Sequence, residues 1–252
     1  MKDKTVKILN LILPIISIAT IIVVWTIIAV SVGNSYLVPT FGETVVTFFK
    51  LFGKGEFYYA LLETLLRTLI SFVLSFVIGF LLALLVHKKP LAKKAVAPIM
   101  AIIRVLPTIA VVLILLVWTN SFIAPILVAM LVVMPTVYTG VQNVLSSVDE
   151  RQLEMCKLFN VSEKNVLKKV KIPQILPSSI AIMGTSISLT LKLMVAAEVL
   201  SFTPNSLGNY LQLANLYDET VIMMALVLVT IVIGVIIEAV FNFVSDKVGK
   251  WK

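Results

Sequence analysis

Apolar and polar positions along this chain alternate on the scale of whole segments. Six runs are almost continuously apolar: near Ile8–Val32, Leu65–Val86, Ala95–Trp118, Phe122–Val141, Ser178–Ser201 and Val221–Val244. A helix rising 1.5 Å per residue needs about 20 such residues to cross roughly 30 Å of hydrocarbon. Each run therefore predicts a spanning helix. The third and fourth are separated by little more than Thr119-Asn120-Ser121, which predicts a tight hairpin. The first run follows Lys2, Lys4 and Lys7 as in a signal peptide. It is too long for that role, and no small-residue cleavage site follows, so it is read as the first span. The expectation is an all-α polytopic membrane protein with about six transmembrane helices, forming one domain over 1–252.

The longest polar interruption lies at 147–177, between the fourth and fifth runs. Ser147-Val-Asp-Glu150 has the spacing of a capping box, with Asp149 and Glu150 suited to a helix N-terminus. A helix from about Val148 to Phe159 would set Leu153, Cys156 and Phe159 on adjoining parts of one face. Asn160 suits a left-handed helix end, because its short polar side chain tolerates positive φ. Ser162 can cap a second short helix through Val170, which Pro173 and Pro177 are expected to end and redirect into the fifth run. A loop that only sets topology needs charge, but neither two capped helices nor a turn residue nor two prolines. The pattern predicts a docking elbow. Among the outer loops, Thr40-Phe-Gly-Glu43 has capping-box spacing ahead of Phe48, Phe49 and Phe52, which predicts a short surface helix.

Composition agrees with the membrane reading: 60% of residues are apolar and 13% charged, against about 45–50% and 25% in soluble domains. The formal net charge of +8 sits in short clusters between the runs, as topogenic charge does, and does not form a nucleic-acid patch. The N-terminus, the 87–94 loop, the elbow and the C-terminus carry three, four, six and three Lys or Arg, sixteen of the chain's 21. Six spans put all four on one side, so both termini and the elbow are expected to be cytoplasmic. Cys156 is the one cysteine, which excludes an internal disulfide, and no metal-ligand set is visible. The chain lacks a G-x-x-x-x-G-K-[ST] loop, so it cannot bind ATP in that way.

Arg104, Lys192 and Glu198 fall inside the runs. An ionised side chain at bilayer depth costs roughly 2.5–3.5 kcal/mol, so each should face protein or water. For Lys192, lining of a translocation path and a structural bond to exposed carbonyls are both open. Arg104, shortly before Pro107, suggests packing or a gate in a broken segment. Glu198 would lie near the outer end of the fifth span. Glu63 and Arg67 are spaced as an i, i+4 pair and need no further function. His87 is expected at the cytoplasmic interface.

The elbow also resembles the cytoplasmic signature of the permease subunits of bacterial ABC importers: E-A-A, three residues, Gly, nine residues, I-x-L-P. The matching residues are Glu154, Met155, Cys156, then Asn160, then Ile172-Pro173 and Pro177. Both alanines and the glycine are replaced, although Asn160 keeps the left-handed turn possible. Further motifs are similar to the nitrate/sulfonate/taurine/bicarbonate type of permease, which includes thiamine-precursor transporters. They are Leu37-Val-Pro-Thr40, Thr64-Leu-Leu-Arg67, Arg104 to Pro107, Ala197-Glu198, Ser206-Leu-Gly208 and a final Trp251. The resemblance implies a type I ABC importer permease fold and pairing with a second copy. It also implies docking of a cytoplasmic ABC ATPase dimer, which binds the ATP, through Leu153, Glu154, Met155, Cys156, Lys157, Phe159 and Asn160. An extracytoplasmic substrate-binding protein and the bacterial cytoplasmic membrane are implied with it, and Lys192, Glu198 and Arg104 would line or gate the path. The alternative, an ion-driven carrier or channel using Lys192 and Glu198 as a relay, leaves the elbow unexplained.

Overall fold

The computed structural model describes residues 2–249, and every regular element among them is helical. The expected terminal Trp251 lies outside the described residues. In chain order the helices are α1 (Lys2–Val32), α2 (Phe41–Leu51), α3 (Gly55–His87), α4 (Pro90–Val105), α5 (Thr108–Trp118) and α6 (Ile123–Ser146). There follow α7 (Glu150–Leu158), α8 (Glu163–Val166), a π-helical turn at Leu167–Lys171, α9 (Ile172–Ser201), α10 (Leu207–Leu216) and α11 (Thr220–Gly249). Helices are the economical solution in lipid, because each satisfies its own backbone N–H and C=O groups.

Five of these elements are long and apolar enough to span a membrane unaided. The predicted third span is instead two helices, α4 and α5, bent by 92° at their junction. Pro107 is the cause. It caps α5 in extended conformation, and the residue before it, Leu106, leaves the helical region as residues preceding proline do. The second span begins earlier than predicted, at Gly55, and Lys93 and Lys94 lie within α4, not in a loop. A helix between the last two spans, α10, was not predicted.

Contacts divide the chain into two units. In the first, Met1–Tyr58 with Tyr210–Val229, the predicted capping box forms. Thr40 Oγ1 accepts from the Glu43 N–H at 3.2 Å, and the Glu43 carboxylate accepts from the Thr40 N–H at 2.8 Å. Trp25 fastens α1 to the start of α2, donating to the Pro39 carbonyl at 2.9 Å and meeting Phe41 edge-on at 5.6 Å. Phe48, Phe49, Phe52, Phe57 and Tyr58 form a chain of ring contacts along α2 and into α3.

The second unit, Tyr59–Asn209 with Thr230–Lys252, is centred on α6. Residues Ser71, Ser75, Gly79 and Ala83 are spaced four apart and form a buried line of small side chains on α3. Ser71 and Ser75 donate to the Ile126 and Met130 carbonyls at 3.0 and 3.1 Å, and a Cβ on Gly79 would lie 2.9 Å from the Met134 carbonyl oxygen. Such a line lets two helices approach closely where no water drives them together. α3 and α6 therefore run parallel in a regular register. α9 packs antiparallel on a neighbouring face of α6, with Ile182 against Gly140 and Met194 in the Ile126–Ala129 cluster. The far half of α11 crosses α9 at Gly184 and Phe241, and Ser245 Oγ donates to the Pro177 carbonyl at 2.8 Å.

Candidate functional site

The elbow has the expected turn but different caps. Asp149, and not Ser147, is the N-cap of α7; its carboxylate accepts from the Arg151 N–H at 2.9 Å. The Ser147 hydroxyl turns back to the Val144 carbonyl at 2.8 Å, finishing α6. Aspartate two residues later competes better for the role because the α7 N-terminus attracts negative charge. At the other end Asn160 adopts φ 51°. The Val161 N–H bonds the Cys156 carbonyl at 2.9 Å and the Asn160 N–H bonds the Lys157 carbonyl at 3.1 Å, a Schellman motif that stops α7 and reverses the chain.

Beyond that turn the sequence expectation fails. Ser162 receives the Asn165 and Val166 N–H groups on its carbonyl and starts α8, but Pro173 and Pro177 do not end the helix. Glu163–Ser201 is helical throughout, 39 residues long. Pro173 lies inside that run, directly after the π-helical turn at Leu167–Lys171, where the regular α-helical hydrogen-bond pattern has already changed. The second half of the elbow, from Glu163, thus runs into α9 as continuous helix, with α7 folded back beside it. A second fastening comes from Gln174, whose carbonyl oxygen accepts from the Asp149 N–H and whose amide donates to Gln152.

The exposed apolar residues of α7 are Met155, Leu158 and Phe159, at i, i+3 and i+4, with Leu158 80% and Phe159 76% exposed. Leu153 and Cys156, predicted to share the stripe with Phe159, are half-buried, while Glu154, Lys157 and Asn160 are exposed. The outward face is therefore rotated from the predicted one. Half-burial of Leu153 and Cys156 is what anchors α7 and turns Leu158 outward.

Within the spans, α6 and α9 together expose a polar face. Thr136 and Asn143 on α6, and Ser178, Thr185 and Lys192 on α9, are exposed and spaced seven apart on each helix. The antiparallel register sets Thr136 level with Thr185 and Asn143 level with Ser178. Lys192 makes no ion pair among the described residues. Arg104, in the last turn of α4, is held against α6. Its Nη2 donates to Thr139 Oγ1 at 2.6 Å and to the Pro135 carbonyl at 3.3 Å.

Glu198 does not face solvent: its side chain is fully buried. Arg67 Nη1 donates to it at 2.9 Å, Thr64 Oγ1 at 2.9 Å and the Gly208 N–H at 3.3 Å. Thr64 Oγ1 also accepts from the Leu207 N–H at 3.0 Å. A Cβ on Gly208 would collide with the Glu198 Cβ and approach the Val199 nitrogen to 2.6 Å. One knot thus ties α3, the end of α9 and the start of α10. The intervening turn is stitched at Phe202, with φ 49°, by Ser201, Thr203 and Ser206. The predicted Glu63–Arg67 pair forms at 3.1 Å, but the stronger partner was missed. The signal was present as three separate motifs, Thr64–Arg67, Ala197-Glu198 and Ser206–Gly208, with nothing local to say that they meet. Glu238, half-buried inside α11, is a further charged residue within a span that the sequence reading passed over.

Residues 75–250 match the family of binding-protein-dependent transport system inner membrane components. No curated protein matches the chain. Among solved structures, a chain of the MetNI methionine ABC transporter in an inward-facing conformation is similar at TM-score 0.63 and 18% identity, over 74% of this chain and 93% of that one. A second crystal form of that transporter gives 0.62 at 18%, over 75% and 94%. An amino acid ABC transporter crystallised with histidines gives 0.62 at 16%, over 82% and 97%. At such identities the likeness carries the fold, which is that of the type I ABC importer permeases.

Proposed function

The chain belongs to the family of binding-protein-dependent transport inner-membrane components, and from that premise we propose that its elbow is the part that takes up the ATPase. It is the permease component of an ABC importer and is not itself an enzyme. In the proposed reading, a cytoplasmic ATPase dimer receives α7 in a groove, with Leu158 and Phe159 as its apolar anchors and Glu154 and Lys157 at the rim. Closure of the ATPase pushes on a lever with no joint, since helix continues from Glu163 to Ser201. That continuity carries the proposal: a loop interrupted at Pro173 would absorb the motion, whereas a rod delivers it to the polar face of α6 and α9. Two copies of the chain, facing each other across those polar faces, enclose the path. A charged side chain in a span is tolerated where it meets water, which favours the path role for Lys192 over a structural one. Arg104, anchored to α6 beside the α4–α5 break, and Glu198, in the knot at the far end of α9, hold the walls.

Lys192 favours an anionic solute, of which a sulfonate or nitrate-like ion or a charged vitamin precursor is an example. An extracytoplasmic binding protein delivers it. The basic clusters favour a cytoplasmic side for both termini and the elbow, in the membrane of a bacterial cell on the proposed reading. The test is uptake into proteoliposomes holding this chain with its ATPase and binding protein. ATP-dependent accumulation is expected, with Lys192→Gln lowering the maximal rate for an anion while the binding protein's affinity stays unchanged. Uptake driven by an ion gradient with the ATPase omitted would contradict the reading.

A further inference from the structure

Beside the elbow lies a cleft that solute passage leaves unused and that the proposed ATPase docking touches only at Leu153 and Lys157. Its upper part is a cavity of about 750 Å³ between the ends of α3 and α6 and the starts of α7 and α9. Its lining is apolar at Leu84, Leu85, Leu145 and Ile175 and basic at Lys88, Lys89 and Lys171. A second cavity of about 650 Å³ shares Lys88, Leu153 and Lys171 and adds Lys157 and Lys164, with Glu163 the one acidic residue in its lining. Neither ion pair formed among the described residues involves any of these lysines. The cleft is therefore positive and open to an anion.

The apolar lining says what kind of anion. On α3, Val77, Leu81, Leu84 and Leu85 are exposed at 47, 51, 43 and 65%. Spaced at i, i+4, i+7 and i+8, they form one stripe on the helix surface, and the next position on it, i+11, is Lys88. The stripe runs from hydrocarbon depth to the basic cleft without a polar interruption. A soluble phosphate has no use for such a track, whereas a phospholipid matches it, with its acyl chains along the leucines and its phosphate among the lysines. Basic pockets between spans at the cytoplasmic surface are suited to acidic headgroups.

We infer that this cleft is a site for an anionic phospholipid of the cytoplasmic leaflet, its phosphate held by Lys88, Lys89 and Lys171. A lipid seated there touches α3, α6, α7 and α9 at once, and so braces the elbow against the spans. The leaflet assignment rests on the orientation proposed above; the headgroup chemistry does not.

The experiment is native mass spectrometry of the full-length chain, delipidated in detergent and titrated with phosphatidylglycerol or phosphatidylcholine. Phosphatidylglycerol is expected to be retained preferentially. Its affinity should fall roughly fivefold for Lys88→Gln or Lys171→Gln and about thirtyfold for the pair, as each removes one juxtamembrane cation. Lys94→Gln, outside the cleft, should leave it unchanged, and millimolar inorganic phosphate should not compete. Equal retention of both lipids, equal loss with Lys94→Gln, competition by inorganic phosphate, or expulsion of the lipid by the docked ATPase would each overturn the site. Orientation is read separately, from labelling of Cys156 by a membrane-impermeant maleimide. Protection in intact cells and reaction after permeabilisation supports the cytoplasmic leaflet, whereas labelling of intact cells overturns that assignment, whatever the lipid adducts show.

Discussion

At the scale of single residues, the Glu198 knot carries the sharpest energetic consequences. Removing one partner of a buried ion pair leaves the other uncompensated, which costs about 3–5 kcal/mol. Arg67→Leu is therefore expected to lower the temperature at which the detergent-solubilised chain loses its monodisperse peak, by far more than Glu63→Gln, whose carboxylate is partly exposed. Gly208→Ala should destabilise similarly, because its Cβ has no space beside Glu198. If Gly208→Ala melts like wild type, the close packing of α10 on α9 is wrong. Asn160 and the Glu63–Arg67 pair were legible in the sequence because each depends on residues within one helical turn. The Arg67–Glu198 pair spans 131 positions, and no local rule chooses between a charge that finds a partner in another helix and one that faces water. The same gap leaves Lys192 open in the sequence, and its exposure on the α6–α9 face supports the proposed path role.

At the scale of elements, the capped turns followed from the sequence and the helix breaks did not. Thr40–Glu43 forms its box, and burial of Leu153 and Cys156 settled which face of α7 points outward. Pro107 breaks a span by 92° whereas Pro173 and Pro177 break nothing. The difference is context: Pro173 follows a π-helical turn where the α-helical hydrogen-bond pattern has already changed, and Pro177 is followed by packing that fixes α9 against α11. Asn160→Gly should preserve the α7 turn. Asn160→Val, forcing a branched side chain into the left-handed region at about 1–2 kcal/mol, should uncouple the elbow, read as loss of solute-stimulated ATP hydrolysis with basal hydrolysis retained. Gly79→Leu should separate α3 from α6 and prevent recovery of folded protein, while Gly42→Ala, in open space, should not. The α2 cap adds a pH dependence. Hydrogen bonds from the Thr40 N–H and hydroxyl and from Ser35 hold the Glu43 carboxyl below its ordinary value of 4.5. Its contribution is therefore complete above that value and lost as pH falls through the lower folded one. Amide exchange in α2, corrected for intrinsic rate, should be constant from neutrality to about pH 5 and accelerate only in stronger acid.

At the scale of the whole molecule, segment hydropathy was enough to give the class and five of the six expected crossings, the other being the bent α4–α5 pair, since a bilayer leaves little choice beyond helices of set length. It did not give the joint in the third crossing or the absence of a joint between Glu163 and Ser201, and in the proposed coupling role those decide how force travels. A rigid connection from α7 to the polar face of α9 is the mechanical core of the account. It requires that the ATPase grip α7 itself. The most direct measurement is co-purification of the tagged chain with its ATPase, comparing wild type with Leu158→Asp, Glu154→Lys and a deletion of Gln152–Ser162, each checked for insertion and dimerisation. The account predicts capture by the wild type and its loss in Leu158→Asp and in the deletion, with Glu154→Lys weakened. Capture that survives the deletion would place the docking surface elsewhere and contradict the coupling role of the elbow.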